Sequence, residues 1–284
     1  MRVGLELLEL ARAAGARSIF VVGTGRDVGK TTALRAVYAA ACETGVRTGL
    51  ASLNPTHRLW LQPQTVFVTA RGALPRTPAT EIIELSRLHA PAGALLYARA
   101  ATAALYELVG PPTASGVREI VDRLARFSET VIVDGAVDRV AALAGSHGAI
   151  IVACGAAAAK TMQEAVDDIA ALVARLRVPR FDSDEPAIEV EGALTATLAA
   201  SFIAARETRQ IVVRDPTQIA LSGKAGARAL TQLKIRCRRP LRVIAATVAS
   251  IAPDRTFEPR AFATAVAEST GLPAFDVYAG ARAA

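Results

Sequence analysis

Hydrophobic and polar positions follow two patterns along the chain, and the two patterns alternate. Short continuous apolar runs predict buried strands, whereas apolar residues repeated every three or four positions predict helices. Strands are predicted at 18–22, 46–52, 65–69, 129–135, 149–153, 211–213, 243–248 and 273–277, with another pair of strands at 94–98 and 104–109. Helices are predicted at 5–14, 31–44, 79–88, 115–127, 161–176 and 260–268.

This alternation predicts an α/β fold in which a mostly parallel sheet is covered by helices on both faces. Residues 179–186, which begin and end with proline and contain three acidic residues, are the best linker candidate. The chain is therefore expected to consist of a first domain at 1–180 and a C-terminal α/β extension at 187–284. Whether the extension packs on the first domain is left open.

Composition narrows the class of protein. With 52% hydrophobic and 21% charged residues, the chain of 284 residues is too apolar to be disordered and long enough to bury a large core. The three cysteines lie far apart without a Cys-x-x-Cys pair, which argues against a disulfide framework or a cysteine zinc site and indicates a reducing cytoplasm. Residues 140–159 are apolar, but Ser146 and His147 interrupt them, so a short helix and a buried strand are expected rather than a membrane span.

Positive charge is concentrated in the last third of the chain. The net charge is +7, and the densest basic run contains Lys234, Arg236, Arg238, Arg239 and Arg242. Such a run could attract phosphate or an acidic partner, or it could be an arginine-rich solvated surface. Aromatic residues do not alternate with these charges, which argues against binding of single-stranded nucleic acid.

One segment carries most of the candidate chemistry, because a predicted strand leads into a glycine-rich loop that opens a helix. The loop reads Gly23-Thr24-Gly25-Arg26-Asp27-Val28-Gly29-Lys30-Thr31-Thr32. Glycines let backbone N–H groups turn inward, and the first turn of a helix presents unpaired donors and a positive dipole end. Lys30 would reach the β and γ phosphates of a nucleotide, and the Thr31 hydroxyl would bind Mg²⁺. The segment therefore predicts the P-loop NTPase fold.

The spacing of the loop departs from the usual pattern, in which four residues separate the first glycine from Gly-Lys. Here that position is Thr24, and Gly23 stands one residue earlier.

Two acidic residues are candidates for the same site. Asp134 ends the predicted strand Val131-Ile132-Val133-Asp134, and ligands bind at the carboxyl edge of such sheets. A carboxylate there can hold Mg²⁺ directly or through water, or it can cap the following turn. Asp27 lies inside the loop, where binding of metal, contact with a partner, action as a base and a purely structural role all remain open.

The stretch 53–60 is predicted to be an irregular loop after the second strand, and its His57 and Trp60 are candidates for substrate contacts. Lys160 could reach the same edge of the sheet or could be a surface lysine at a helix start.

The loop resembles the phosphate loop of dethiobiotin synthetases, which reads Gly-Thr-Asp-Thr-(Asp/Glu)-Val-Gly-Lys-Thr and has the same extra residue. Val131-Ile132-Val133-Asp134-Gly135-Ala136 is similar to the strand of that family that ends in Glu-Gly-Ala. The resemblance implies that Lys30 and Thr31 bind phosphates and Mg²⁺, that Asp134 takes the position of the second-motif acid, and that the nucleotide is ATP.

The sequence departs from that family at the residues that bind substrate. Gly25 replaces the first aspartate of the loop, and the family's lysine after the second strand is missing, since residues 31–159 contain no lysine. Arg58 is the basic candidate nearby. The absence of these residues argues against dethiobiotin synthesis. What remains of the resemblance is the nucleotide-binding part of the family's site.

A weaker similarity points to accessory proteins that reactivate cobalamin-dependent lysine 5,6-aminomutases. It rests on Val133-Asp134-Gly135-Ala136-Val137-Asp138-Arg139 and on two stretches at 257–259 and 272–277. It implies a protein that uses nucleotide to exchange damaged cofactor on another enzyme, with a MutS-like ATPase as a further partner.

The working hypothesis is thus a cytoplasmic Mg-ATP-binding P-loop NTPase with an accessory or reactivating role. An ATP-dependent ligase of the dethiobiotin-synthetase type and a nucleotide-binding protein without hydrolysis remain alternatives. A homodimer is expected only by analogy with related folds.

Overall fold

The computed structural model describes residues 2–53, 57–75, 80–134 and 148–278. Within these residues the helices are α1 (Arg2–Ala13), α2 (Lys30–Glu43), α3 (Ala114–Leu124), α4 (Met162–Leu176), α5 (Ala196–Ala204), α6 (Gly223–Gln232) and α7 (Pro259–Thr270). The first nine strands are β1 (Ser18–Gly23), β2 (Thr48–Ser52), β3 (His57–Leu61), β4 (Val66–Ala70), β5 (Thr80–Ala90), β6 (Gly93–Ala100), β7 (Ala104–Leu108), β8 (Thr130–Asp134) and β9 (Ala149–Gly155). The later strands are β10 (Ala187–Glu189), β11 (Leu194–Thr195), β12 (Gln210–Val213), β13 (Ile219–Ala220), β14 (Ile235–Cys237), β15 (Arg242–Ala249), β16 (Ile251–Ala252), β17 (Arg255–Thr256) and β18 (Ala274–Asp276).

A nine-stranded sheet in the order β18-β15-β9-β1-β8-β2-β4-β6-β5 forms the centre of the molecule. The strands from β18 to β4 run parallel, and β6 and β5 add to them in antiparallel pairs. The α/β fold with a large, mostly parallel sheet flanked by helices is therefore confirmed, and it is consistent with a P-loop NTPase-like fold.

The continuous apolar runs exist because the central strands are buried on both faces. Along β1, Phe20 and Val22 point into a core that is closed by α3, α4 and α7. Ile19 and Val21 point into the opposite core, which is closed by α1, α2 and the two-stranded ribbon of β3 and β7. Since successive side chains of a strand face opposite sides, both sets must be apolar.

A smaller parallel sheet, in the order β10-β12-β14, follows α4 and has a core of its own with α5 and α6. After it the chain returns to the large sheet, where β15 pairs with β9, and β18 pairs with β15. The large sheet thus contains strands from both sides of the predicted division into 1–180 and 187–284. The predicted linker also makes contacts, since the Phe181 N–H donates to the Cys237 carbonyl at 2.8 Å.

The helix predicted at 79–88 is wrong, because Thr80–Ala90 forms the edge strand β5 (Ala79 lies outside the described residues). Its register with β6 shifts between Ile82 and Glu84 and again between Leu85 and His89. Two such irregularities break the alternation of a strand, so the apolar residues take a spacing that resembles a helical repeat.

The irregular loop predicted at 53–60 is also wrong from His57 onward, because β3 begins there (residues 54–56 lie outside the described residues). The two strands predicted at 94–98 and 104–109 both form, but they do not pair with each other. β6 pairs with β4 and β5, whereas β7 pairs with β3.

The apolar stretch 140–159 contains the predicted buried strand, β9, while residues 140–147 lie outside the described residues. Among the helices of the described part, none is long and apolar enough to cross a membrane.

Candidate functional site: a phosphate loop beside a buried acid

The glycine-rich loop lies at the carboxyl edge of the large sheet, between the end of β1 at Gly23 and the start of α2 at Lys30. Gly29, the residue before the helix, has a left-handed backbone with φ 83° and provides no side-chain cap. The N–H groups of the first helical turn therefore lack the side-chain acceptor that usually caps them. Such a helix start binds anions.

The loop folds tightly over the ends of the neighbouring strands, which explains its glycines. A Cβ atom on Gly23 would lie 2.7 Å from Val28 Cγ2 and 3.0 Å from the Ala153 carbonyl oxygen. A Cβ atom on Gly29 would lie 2.9 Å from Ala249 Cβ and 3.2 Å from Val277 Cγ2. Both positions exclude a side chain, so the displaced first glycine of the motif has a structural cause.

Thr24 stands where the usual pattern has its first glycine, and the loop tolerates it because only its backbone is fixed. Its N–H donates to the Ala153 carbonyl at 2.9 Å, which ties the loop to the end of β9.

Lys30 places its charge over the loop rather than in solvent. Its ammonium donates to the Gly25 carbonyl, and the side chain is partly buried. Thr31 and Thr32 follow in the first turn of α2 and are partly exposed. A cation held at the loop beside the uncapped start of α2 fits a polyphosphate, because charge-assisted bonds to phosphate are the stronger ones.

Asp27 and Arg26 are exposed at the tip of the loop. Asp27 has φ 55°, in the left-handed region that aspartate tolerates better than most residues. This conformation supports a structural role for Asp27, which the sequence left open. The catalytic role predicted for Asp27 stays a prediction.

We expect Asp27→Gly to keep the stability of the protein and Asp27→Ala to lower it by roughly 1 kcal/mol, because alanine is strained at positive φ. Thermal unfolding of the two variants measures the difference, and nucleotide affinity measured in Asp27→Gly tests for a chemical role. A large loss of affinity in a stable Asp27→Gly protein would show that the carboxylate itself is needed.

Asp134 ends β8, directly beside the loop-bearing strand. In the sheet it is level with Val21 on one side and Ser52 on the other. The residue is only 2% exposed, and its Oδ2 lies 3.0 Å from Nδ1 of His57. Burial of a carboxylate is costly unless polar groups compensate it, and His57 is one such group. The following residues, among them Gly135, Ala136 and Asp138, lie outside the described part.

The structure thus brings His57 to the candidate acid, a contact that sequence reasoning missed. His57 begins β3, and its buried Nε2 atom has no hydrogen-bond partner among the residues that the structure describes. The sequence indicated His57 only as a loop residue for substrate contact. The signal that could have found the pair is weak, because the two residues lie far apart in the chain.

The candidates for holding a metal ion at this site are two protein oxygen donors, the Thr31 hydroxyl and the Asp134 carboxylate. Among the described residues, no group of three or more His, Cys, Asp and Glu side chains could hold a metal ion. This donor set fits Mg²⁺, which keeps several waters and binds through one or two protein oxygens together with substrate phosphates. Thr31 and Asp134 would be the protein residues on the ion.

Three other basic candidates, Lys160, Lys234 and Arg238, are exposed, and two of them are paired with acids. The Lys160 side chain is exposed just before α4, in agreement with a surface lysine. In the basic run, Lys234 lies 3.5 Å from Glu185, and Arg238 pairs with Glu189. Two of the five cations of the run are therefore paired with acids.

No protein-family profile matches the chain, and no curated protein matches it. One similar solved structure is the signal recognition particle receptor FtsY from Elizabethkingia anophelis, with 13% sequence identity and a TM-score of 0.29. The match covers 94% of this chain and 71% of that one. The assignment of this chain to the α/β class therefore rests on its own sheet order and on the strand–loop–helix unit at residues 18–43.

Proposed function

We propose that this protein binds Mg-ATP at the loop 23–32 and hydrolyses it as a molecular switch. The observation that carries the proposal is the position of a Gly29–Lys30 helix start at the carboxyl edge of the sheet, one strand away from the buried Asp134. Backbone donors, a lysine and an acid are the groups that phosphoryl transfer from a nucleotide requires.

Each group of the chain has a separate task in this proposal. The N–H groups of the loop and of the first turn of α2 hold the phosphates, and Lys30 neutralises their charge. Thr31 and Asp134 orient the hydrated metal ion. Mg²⁺, when bound, supplies the remaining charge neutralisation on the phosphates. His57 holds the Asp134 carboxylate in place from β3.

We further propose that the switch serves another cytoplasmic enzyme as an accessory or reactivating protein. The ligase alternative needs a basic group for its substrate after β2, and the sequence offers only Arg58 there. The Arg58 side chain is 72% exposed and its Nε lies 3.3 Å from Glu107 on β7, so this cation is already paired with an acid. An aminomutase and a MutS-like ATPase, implied by the weaker resemblance, are the partners to test first.

The deciding experiment measures binding and hydrolysis of ATP and GTP by the purified protein with and without Mg²⁺. Tight, Mg²⁺-dependent ATP binding with slow turnover would support the proposal. Brisk turnover without a partner would favour a self-sufficient enzyme and contradict the switch role. Failure to bind either nucleotide would overturn the proposal as a whole.

We expect Asp134→Asn to lower nucleotide affinity about tenfold in the presence of Mg²⁺, because the amide loses the charge that holds the hydrated ion. Isothermal titration calorimetry checks this, and the same titration in EDTA is the control, where wild type and variant should agree. If the variant keeps the full Mg²⁺ effect, Asp134 serves only to hold His57.

A further inference from the structure

A groove of about 630 Å³ runs along the outer face of α2 and ends at the amino edge of the large sheet. It runs between the outer face of α2, the start of β2 and the turn that follows β3. Its volume falls in the range of about 300–1,000 Å³ that is typical of small-molecule sites. Its lining includes Arg35, Tyr38, Glu43, Arg47, Trp60 and Gln62.

The floor of the groove is held in one conformation. The buried Tyr38 hydroxyl lies 2.7 Å from Thr65 Oγ1 and accepts the N–H of Gln62 at 2.7 Å, which ties the turn after β3 to α2. Burial raises the pKa of the Tyr38 phenol, so the hydroxyl stays neutral. Gln64 in the same turn has φ 69°, and such strain in a residue other than glycine is common at ligand sites.

Trp60 forms one wall of the groove and leaves a large aromatic surface in contact with solvent. Its neighbours Leu59 and Leu61 point into the core, whereas Trp60 is 56% exposed. Leu105, directly opposite on β7, is 51% exposed as well. An aromatic ring that is half exposed beside a preformed groove offers its face for stacking.

The two ends of the groove differ in the net charge of the side chains that line them. Arg35 is exposed on α2, and in the part of the chain that the structure describes it forms no ion pair. Arg47 is engaged, since its Nε lies 2.9 Å from Glu129. Glu43 also lines the groove, but it follows Arg35 by roughly 12 Å along the helix axis. The end of the groove near Arg35 therefore carries an unmatched positive charge.

We propose that this groove binds a flat aromatic or heteroaromatic anion. The ring stacks on Trp60, and the anionic group lies at Arg35, where a charge-assisted hydrogen bond fixes its direction. None of the loop residues 23–32, all of them described, lines the groove, so this inference holds whether or not the loop binds nucleotide.

The test uses 1-anilinonaphthalene-8-sulfonate as the probe, because Trp60 is the single tryptophan of the chain and can transfer energy to it. We expect saturable one-to-one binding with quenching of Trp60 emission. Arg35→Ala should weaken binding about tenfold. The matched control is Arg71→Ala, an exposed arginine outside the groove, which should bind as the wild type does.

The uncharged analogue N-phenyl-1-naphthylamine separates charge from stacking. It should bind wild type about tenfold more weakly than the sulfonate and should bind Arg35→Ala as it binds wild type. Trp60→Ala should weaken both probes, measured by their own emission. Equal affinity of wild type for the two probes, or affinities that neither substitution changes, would overturn the proposal, with circular dichroism showing that each variant is folded.

Discussion

Replacing Lys30 by alanine is expected to weaken nucleotide binding by roughly 1.5–3 kcal/mol, which is about a 10- to 150-fold loss of affinity. Lys30 is partly buried and holds its ammonium over the loop, where it donates to the Gly25 carbonyl. The truncation removes the positive charge from the centre of the loop but keeps the glycines and the helix start. Calorimetric titration with Mg-ATP measures the loss.

A second lysine provides the control for this prediction. Lys234→Ala removes a charge from the small sheet, where the side chain is half exposed and lies 3.5 Å from Glu185. Its affinity for nucleotide should equal that of wild type. Unchanged affinity in a folded Lys30→Ala protein would remove the basis for a phosphate site at this loop.

Gly4→Ala should destabilise the protein by about 2–3 kcal/mol, because α1 and α2 cross in close contact at this residue. A Cβ atom on Gly4 would lie 2.0 Å from the Ala36 carbonyl oxygen and 2.4 Å from its carbonyl carbon. Both atoms are backbone, so the helices must move apart. Leu7 and Leu8, which are fully buried, would then lose packing. Urea unfolding measures the free energy of unfolding.

Gly192→Ala is the matched control, since a Cβ atom there would meet no atom within 4 Å and the residue has no positive φ. Its free energy of unfolding should stay within about 0.5 kcal/mol of wild type. A Gly4→Ala protein as stable as this control would mean that α1 lies farther from α2 than described.

The core of the fold could be predicted from sequence because its signals are local. The runs 19–22, 131–133 and 149–153, which lie within β1, β8 and β9, are apolar at every position because these residues are buried on both faces of the sheet. The loop could be predicted because its glycines and Lys30 lie within ten residues. The position of Asp134 beside it followed from the rule that parallel strands end at one edge of the sheet.

The remaining features depend on contacts between distant segments. In β5 the two register shifts interrupt the alternation of apolar and polar residues that is typical of a strand. The strand is therefore identified by its pairing with β6. The contact between His57 and Asp134 needs β3 to lie beside the end of β8, which no short-range pattern indicates. The groove could not be predicted either, because the side chains of α2 meet those of β3 only after the ribbon of β3 and β7 packs on the sheet.

The packing of Gly29 against Ala249 and Val277 has a consequence for the order in which the site matures during synthesis. A ribosome makes the phosphate loop long before β15 and β18, which support it from the side. Domains form as units as the chain emerges. A nascent chain that stops before β15 would hold the loop without the residues that pack against Gly29, so the proposed nucleotide site would be complete only once synthesis has passed Val277.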